Sequence, residues 1–426
     1  MAPHPRYRAP MTATTQAKAR RKPSLLLYIV IAIALGVVCG LFFPAWLTRV
    51  FVTFNALFGQ LLSFAIPLII LGLIAPAIAD LGKGAGKWLA ITAGIAYLST
   101  LIAGLLGYGA SMVVLPRVLP GNTDAVTNPE ESLLASYFTL EIPPLFGVTS
   151  AVVLAFIVGV ALTAIKGNVL HDAFREFREI VNWIIAKIII PLLPIYIFGI
   201  FLNMTQGGQV AAVIVTFLGV VVFVFILTWL MLLFQFTVAG ALSGRNPLRM
   251  LGTMLPAYAT ALGTSSSAAT IPVTLRQTLK MGVREPVAAF TVPLCATIHL
   301  AGSMIKITCF SLAVMMLFGI TIEPGLMLGF IAMLGVMMVA APGVPGGAIM
   351  TAAGLLSTML GFNEAQVGLM IATYIAIDSF GTATNVTGDG AIAVIMDKLI
   401  GSSREAQDEL ALEEAALEEA ALADLN

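Results

Sequence analysis

Charged side chains are scarce in this sequence of 426 residues. Asp, Glu, Lys and Arg make up 10% of the residues and hydrophobic residues 59%, whereas soluble domains carry about 25% charged residues. This composition excludes a water-soluble domain, because so few polar groups could not cover so much apolar surface. The formal net charge is zero, so no basic excess indicates a nucleic-acid partner. We therefore predict a protein surrounded by membrane lipid.

Cysteine and histidine are also rare, with three of each. Cys39, Cys295 and Cys309 lie in apolar stretches without CxxC spacing, which argues against a disulfide framework or a structural metal site. The sequence shows no cluster of nucleophile and base or of metal ligands. We expect neither an enzyme nor a bound organic cofactor.

Long apolar runs are what the sequence has instead. A helix needs about 20 predominantly apolar residues to span a bilayer. Lys and Arg follow the second, fourth and sixth runs, which places those loops on the side of the basic N-terminal segment 1–24. We predict that 1–24 and the acidic, solvated tail 401–426 are both cytoplasmic. The six runs before residue 245 lie near 25–43, 50–79, 88–115, 145–165, 180–202 and 210–240.

Beyond residue 245, two apolar segments are interrupted by residues that break helices. The segment 250–281 contains the turn Gly-Thr-Ser-Ser-Ser at 263–267, and 325–361 contains two prolines and three glycines within 341–347. If either segment crossed the membrane once, the charged residues after it would lie on the side of the membrane opposite to the one that the other loops predict. Each segment is therefore predicted to be a hairpin that enters and leaves the membrane on the same side. Helices follow over 286–319 and 367–398. The sequence thus predicts an all-α membrane protein with eight transmembrane helices and two inverted re-entrant hairpins. Such an arrangement is typical of transporter binding sites.

Few ionisable residues fall inside the apolar segments, where they are costly and usually functional. Asp378 and Asp389 are eleven residues apart, close to three helical turns, so they share a helix face with Thr382 and Asn385. We interpret one carboxylate as the partner of a ligand ammonium and the other as a cation ligand. Their separation along a helix, roughly 16 Å, is too large for an aspartyl enzyme's shared proton.

Other features of these segments concern helix breaks and isolated charges. Gly388 and Gly390 flank Asp389 and are expected to let the helix unwind there. His299 lies in a stretch of small and polar residues expected to interrupt its helix; since histidines titrate near physiological pH, packing and proton-carrying roles both remain open. Lys187 is interpreted as structural or as snorkelling to the interface.

Three motifs occur in order along the chain: Ser-Ser-Ser-Ala-Ala-Thr-Ile-Pro at 265–272, Gly-Val-Pro-Gly at 343–346 and Asn-Val-Thr-Gly-Asp at 385–389. Together they resemble the dicarboxylate/amino acid:cation symporter family, whose best-known members are glutamate and aspartate transporters. The similarity runs from about residue 25 to residue 398. It implies a multi-pass homotrimer in the cell inner or plasma membrane. The first, second, fourth and fifth helices of the transporter domain, 25–400, would form a scaffold, and the third and sixth helices, both hairpins and the two helices after them would form the mobile transport part.

The resemblance also implies a substrate site between the hairpin tips and the last helix. Asp378 would hold the amino group and Asn385 the carboxylate of an amino acid. The implied substrate-binding residues are Ser266, Ser267, Ser303, Gly343, Val344, Asp378, Gly381, Thr382 and Asn385. The implied sodium ligands are the Asp389 side chain and, mostly through backbone groups, Cys295, Thr297, His299 and Asn385.

Two departures from the family pattern shape the functional prediction. Acidic amino acid transporters have an arginine where this chain has Gly381, or in the first hairpin where it has Ser265, and a buried carboxylate without a cationic partner is disfavoured. A neutral substrate is therefore expected. The family's Asn-Met-Asp-Gly-Thr is replaced by His-Leu-Ala-Gly-Ser at 299–303, which implies the loss of one sodium site, and His299 and Lys306 are the coupling candidates.

The sequence therefore predicts a secondary symporter that takes up a small neutral amino acid by an elevator movement, driven by a sodium or a proton gradient. A symporter for dicarboxylates or acidic amino acids, and a proton-coupled carrier that uses His299, remain the alternatives. A channel-like anion pore would need cationic groups along its path, for which Lys187 and Lys306 are the candidates. The predicted partners are the small-molecule substrate, sodium, membrane lipid and further copies of the chain.

Overall fold

The computed structural model describes residues 25–82, 87–118, 133–165, 167–208, 210–341 and 345–401. The described residues form fifteen α-helices and no strand. The predicted tails lie outside these residues, apart from Gly401. The helices are α1 (Leu25–Gly40), α2 (Ala45–Gly82), α3 (Lys87–Val118), α4 (Val148–Ala164), α5 (Val169–Ile184), α6 (Ile190–Gln206), α7 (Val210–Ser243), α8 (Pro247–Thr264), α9 (Ser267–Lys280), α10 (Glu285–Ile298), α11 (Ala301–Leu317), α12 (Pro324–Val339), α13 (Gly347–Thr358), α14 (Glu364–Ala376) and α15 (Asp378–Gly401).

Several helices are long and apolar enough to cross a bilayer. Among the described residues five pass this test, and the pair α14 and α15, bent by 61°, makes a sixth if it counts as one span. The apolar helices α1, α4, α12 and α13 are shorter. The chain is thus a multi-pass membrane protein, and the number of eight crossings stays a prediction. The five spans are Ala45–Ala79, Lys87–Arg117, Val169–Gln206, Val213–Ser243 and Glu285–Leu317.

The fifth predicted run, 180–202, is part of a longer helix. A π-helical turn, Ile185–Ile189, joins α5 to α6, so the helix begins at Val169. The added segment is amphipathic, which an apolar-run criterion misses. Its Phe177 and Val181 pack against α2, where a Cβ at Gly72 would lie 2.8 Å from Val181 Cγ2.

Helix pairs form at both predicted hairpins. Between α8 and α9 the chain turns through Ser265, which has a left-handed backbone (φ 48°), and Ser266, which caps α9. Helices α12 and α13 likewise pack against each other, and α13 begins after Gly346 with φ 76°. The tip residues 342–344 lie outside the described residues. That each hairpin is re-entrant stays a prediction.

The two helices that follow the hairpins are both broken. The first breaks at His299 and Leu300, as the small and polar residues there predict. The second, predicted as one helix over 367–398, breaks at Ile377 instead of near Asp389. The prediction that the helix unwinds at Gly388 and Gly390 is wrong, because α15 is continuous through both residues.

Gly388 and Gly390 have a packing role instead. A Cβ at Gly388 would lie 2.6 Å from Gln235 Oε1 and 2.7 Å from His299 Cε1, and one at Gly390 would lie 2.8 Å from Met254 Cε. Both glycines therefore let neighbouring side chains approach the α15 backbone. The polar helix α15 can stay helical because its neighbours fit closely around it.

Helices α11 and α15 lie at the centre of the molecule. Every residue from Ala301 to Met315 is buried, and most of α15 is buried as well. The two helices touch at glycines, since a Cβ at Gly302 would lie 2.5 Å from the Gly381 carbonyl oxygen. Around them pack α3, α7, α8 and α10, while α1, α2, α4, α5 and α6 contact one another and reach the rest mainly through α13 and α14.

Candidate functional site

The contact between Gly302 and Gly381 brings two helix starts together. Asp378 is the first residue of α15 and follows the break at Ile377, while α11 begins at Ala301, just after the break at His299. Broken helices inside a membrane expose backbone and polar groups where a cavity or protein can satisfy them. The polar residues predicted from the sequence converge here in two clusters.

The first cluster is centred on Asp378, the predicted partner of a ligand ammonium. Its Oδ1 accepts a hydrogen bond from Lys306 Nζ (2.9 Å), and its Oδ2 accepts one from the backbone N of Gly346 at the second hairpin (2.8 Å). The carboxylate lies at the N-terminus of α15, where the helix dipole favours negative charge. Both oxygens of Asp378 are thus bonded to groups of the chain itself.

Lys306 is fully buried and lies against Gly381. Its Nζ is 3.6 Å from the centroid of the Tyr374 ring, a cation–π contact. The sequence identified Lys306 as a coupling candidate but not as the partner of Asp378. The sequence signal for this pair is Gly381, because a glycine at this position leaves the space that the Lys306 side chain fills.

A hydrogen-bonded group next to this pair contains two further predicted residues. Ser303 Oγ accepts hydrogen bonds from Tyr374 OH (2.8 Å) and from Asn385 Nδ2 (3.2 Å). Asn385 Oδ1 accepts from the backbone N of Gly302 (2.7 Å). The sequence missed Tyr374, because the bend that brings α14 beside α15 follows it at Ile377. Thr382 is also buried, one turn into α15.

The second cluster joins His299 to Asp389. His299 Nδ1 lies 2.9 Å from Asp389 Oδ1, and both side chains are buried. His299 Nε2 lies 3.1 Å from Ser99 Oγ and 3.1 Å from Gln235 Nε2. His299 Nδ1 faces Asp389, to which it donates a hydrogen bond when it carries a proton.

The other Asp389 oxygen, Oδ2, is buried and has no hydrogen-bond partner among the described residues. A carboxylate oxygen of this kind is a suitable ligand for a hard cation. The described residues contain no group of three or more His, Cys, Asp or Glu side chains that could hold a metal ion, so the further ligands of a sodium ion here would be backbone, amide or hydroxyl oxygens.

The other residues predicted to bind sodium or substrate make contacts of their own. The Cys295 carbonyl accepts from the backbone N of His299 (2.9 Å). The side chain of Thr297 is exposed and donates to the Leu294 carbonyl (2.7 Å). In the first hairpin, Ser266 Oγ accepts from the backbone N of Ala269 (3.3 Å) and Ser267 is buried. Gly343 and Val344 lie outside the described residues.

A cavity of about 300 Å³ borders Lys306 and Gly381. Its other walls come from α7, with Val221, Phe225 and Thr228 among them, and from Ile377 and Phe380. Small-molecule pockets start at roughly this volume. Two more cavities, of about 400 and 430 Å³, lie on either side of Glu364, where α14 and α13 meet α2 and α6.

Comparison with known proteins gives a family and a set of relatives. The model of the sodium:dicarboxylate symporter family matches residues 25–399. The serine/threonine transporter SstT of Acinetobacter baumannii strain AYE is 27% identical over 396 residues, covering 88% of this chain and 96% of the relative. The transporter of the same name in strain ATCC 17978 is 26% identical over the same length and coverage.

Proposed function

Since the chain belongs to the sodium:dicarboxylate symporter family, we propose that it uses a sodium gradient to take up a small neutral amino acid by an elevator movement. Membership of this family makes the protein a symporter of amino acids or dicarboxylates, and not an enzyme, and it suggests sodium as the coupling ion. The choice of a neutral amino acid within that range is the proposal.

The observation that carries this choice is the 2.9 Å pairing of Lys306 with Asp378. The pair sums to zero charge, so a zwitterionic amino acid leaves the buried site neutral, whereas an acidic amino acid or a dicarboxylate adds net negative charge to it. The relatives named as serine/threonine transporters support the same choice.

The substrate would lie across α15. Its ammonium would bind Asp378 in competition with Lys306, and its carboxylate would bind the amide of Asn385 and backbone groups of the hairpins around Ser266, Ser267 and residues 343–344. Ser303, Gly381 and Thr382 would limit the space for the side chain. Small polar or small apolar side chains fit such a boundary best.

The elevator movement and the trimer are part of the same proposal. Helices α1, α2, α4, α5 and α6 would form the fixed scaffold, and α3, α7 and α8–α15 the moving part. The limited contact between these groups supports the division: Tyr196 OH donates to the Glu364 carbonyl (3.0 Å), and Gly368 packs against Ile200 and Tyr196. In the cell inner or plasma membrane, both termini would face the cytoplasm.

Uptake by the purified protein in proteoliposomes tests the proposal. Labelled L-serine should enter under an inward sodium gradient, and unlabelled L-threonine or L-alanine should inhibit uptake better than L-aspartate or succinate. Inhibition led by aspartate or succinate would instead favour the acidic amino acid or dicarboxylate alternative.

The hydrogen bond between His299 and Asp389 favours a second candidate function, that of a carrier in which a proton replaces one coupling ion. Protonation of His299 would give Asp389 a cationic partner inside the chain. Sodium and proton gradients imposed separately across the same vesicles distinguish this carrier from a sodium-driven one.

A further inference from the structure

A carrier that binds a substrate ammonium on Asp378 faces a difficulty after the substrate has left. In net uptake the empty site must return across the membrane in every cycle. A buried carboxylate without a partner is strongly unfavourable in such an environment. The empty site therefore needs a cation of its own, or an ion that enters from solution.

Lys306 is placed to supply that cation. Its Nζ lies 2.9 Å from Asp378 Oδ1 and 3.5 Å from the Asp378 carbonyl oxygen, and the Tyr374 ring covers its other side at 3.6 Å. The side chain has no exposed surface. The pair is therefore sealed from solvent and neutral overall.

The start of α13 contacts the same carboxylate. The backbone N of Gly346 donates to Asp378 Oδ2 (2.8 Å). With Lys306 on one oxygen and Gly346 on the other, both oxygens of Asp378 are bonded to groups of the chain itself. The hairpin contact and the ion pair thus occur together in one arrangement of the site.

We propose that Lys306 is an internal counter-ion that takes the place of the substrate ammonium on Asp378 and so allows the empty transporter to return. This proposal rests on the proposed function, since it requires a substrate that carries an ammonium group. The cavity of about 300 Å³ beside Lys306 gives its Nζ room to move off Asp378 Oδ1 when the substrate binds, while the Tyr374 ring and the Asp378 carbonyl oxygen still contact the ammonium. The cavity walls are mostly apolar and, among the described residues, offer no other anion, so the lysine returns to the Asp378 carboxylate once the substrate has left.

Two assays on the same proteoliposomes separate the return step from the other steps. Net uptake of labelled L-serine into vesicles without internal serine requires the empty site to cross. Exchange of labelled external for unlabelled internal L-serine, with equal sodium on both sides, does not. The variants are Lys306→Met and, as a matched control, Lys187→Met, because Lys187 is an exposed lysine on a membrane helix.

The ratio of net uptake to exchange should fall by about tenfold or more in Lys306→Met, because removing one partner of a buried ion pair leaves the other charge uncompensated. It should be unchanged in Lys187→Met. A Lys306→Met protein whose net uptake and exchange are unchanged, or fall by the same factor, would overturn the proposal. If the wild-type protein exchanges no L-serine, the proposed substrate is wrong, and the following measurement still tests the pair.

The second measurement is a thermal unfolding cycle on the protein without substrate or sodium, with Lys306→Met, Asp378→Asn and the double variant. Each single change should lower Tm, and the double variant should recover most of the loss, because it removes both charges. Losses that simply add would overturn the pairing. Should Lys306→Met fail to fold, a folded double variant supports the proposal and an unfolded one contradicts it.

Discussion

His299 Nδ1 lies 2.9 Å from Asp389 Oδ1, which links the break between α10 and α11 to the middle of the continuous helix α15. Lys306 and Asp378 form the corresponding link nearer the start of α15. Each of the two carboxylates predicted to hold a ligand thus has a partner from the α10–α11 segment. A substrate or an ion that binds either carboxylate therefore has to displace its partner within the chain or bind beside that partner.

Gly388→Ala should disturb the His299 cluster. The new methyl group would lie 2.6 Å from Gln235 Oε1 and 2.7 Å from His299 Cε1, and overpacking of this kind costs about 1–3 kcal/mol. Thermal unfolding in detergent should show a lower Tm than for the wild-type protein. Gly252→Ala is the control, because its Cβ would meet no atom within 4 Å; equal effects of the two changes would contradict the packing role of Gly388.

Asp378→Asn should weaken binding of L-serine, since the variant keeps the size of the side chain and loses its charge. The expected loss is about 2 kcal/mol or more, a rise in Kd of roughly 30-fold, measurable by calorimetry. Glu323→Gln serves as the control, because this carboxylate is exposed at the start of α12. Unchanged affinity for L-serine in Asp378→Asn would contradict the assignment of its ammonium to Asp378.

The sequence predicts much of this architecture, and its failures have identifiable causes. Glycine, proline and small polar residues at 263–267 and 341–347 coincide with the breaks between α8 and α9 and between α12 and α13, because these residues disfavour continuous helix. The bend at Ile377 has no such signal, since it falls in an apolar stretch. Gln235 was missed because contacts between α7 and the α10–α11 break depend on packing of distant segments.

Gly381→Arg should not by itself convert the protein into a carrier of acidic amino acids. A side chain at position 381 would overlap the Lys306 stem, and two cations would then share the single carboxylate of Asp378. We expect the single variant to lose L-serine uptake without gaining L-aspartate uptake. Gly381→Arg combined with Lys306→Ala removes both conflicts and should gain exchange of L-aspartate, which does not require the empty site to return; aspartate exchange by the single variant would contradict this account.

Asp397 joins three segments at the end of α15. It accepts hydrogen bonds from Arg284 Nε (2.8 Å) and the Arg284 backbone N (3.2 Å), and from Arg245 Nη2 (3.3 Å). Asp397→Asn should destabilise the protein by about 1–3 kcal/mol, towards the lower value because both arginines are partly exposed and screened. Thermal unfolding measures the effect, and Asp172→Asn, at an exposed position of α5, should leave Tm unchanged.

Coupling to sodium is expected to depend on Asp389. Asp389 contacts His299 through Oδ1, while its buried Oδ2 has no partner among the described residues. A buried carboxylate in this state needs a cation, and a sodium ion bound by carboxylate and backbone oxygens would satisfy it. We therefore expect Asp389→Asn to abolish the sodium dependence of uptake, with Glu323→Gln as the control.

The proton-coupled alternative makes the opposite prediction for His299. The groups around its ring are Ser99 from α3, Gln235 from α7 and Asp389 from α15, with Cys295 one turn before it on α10. If His299 carries the coupling proton, uptake should rise as external pH falls, because the inward proton gradient then drives transport. If sodium is the coupling ion, His299→Gln should retain sodium-driven uptake, because glutamine can still donate a hydrogen bond to Asp389. Uptake that is unaffected when choline replaces sodium, but is lost in His299→Gln, would rule out the sodium-coupled mechanism.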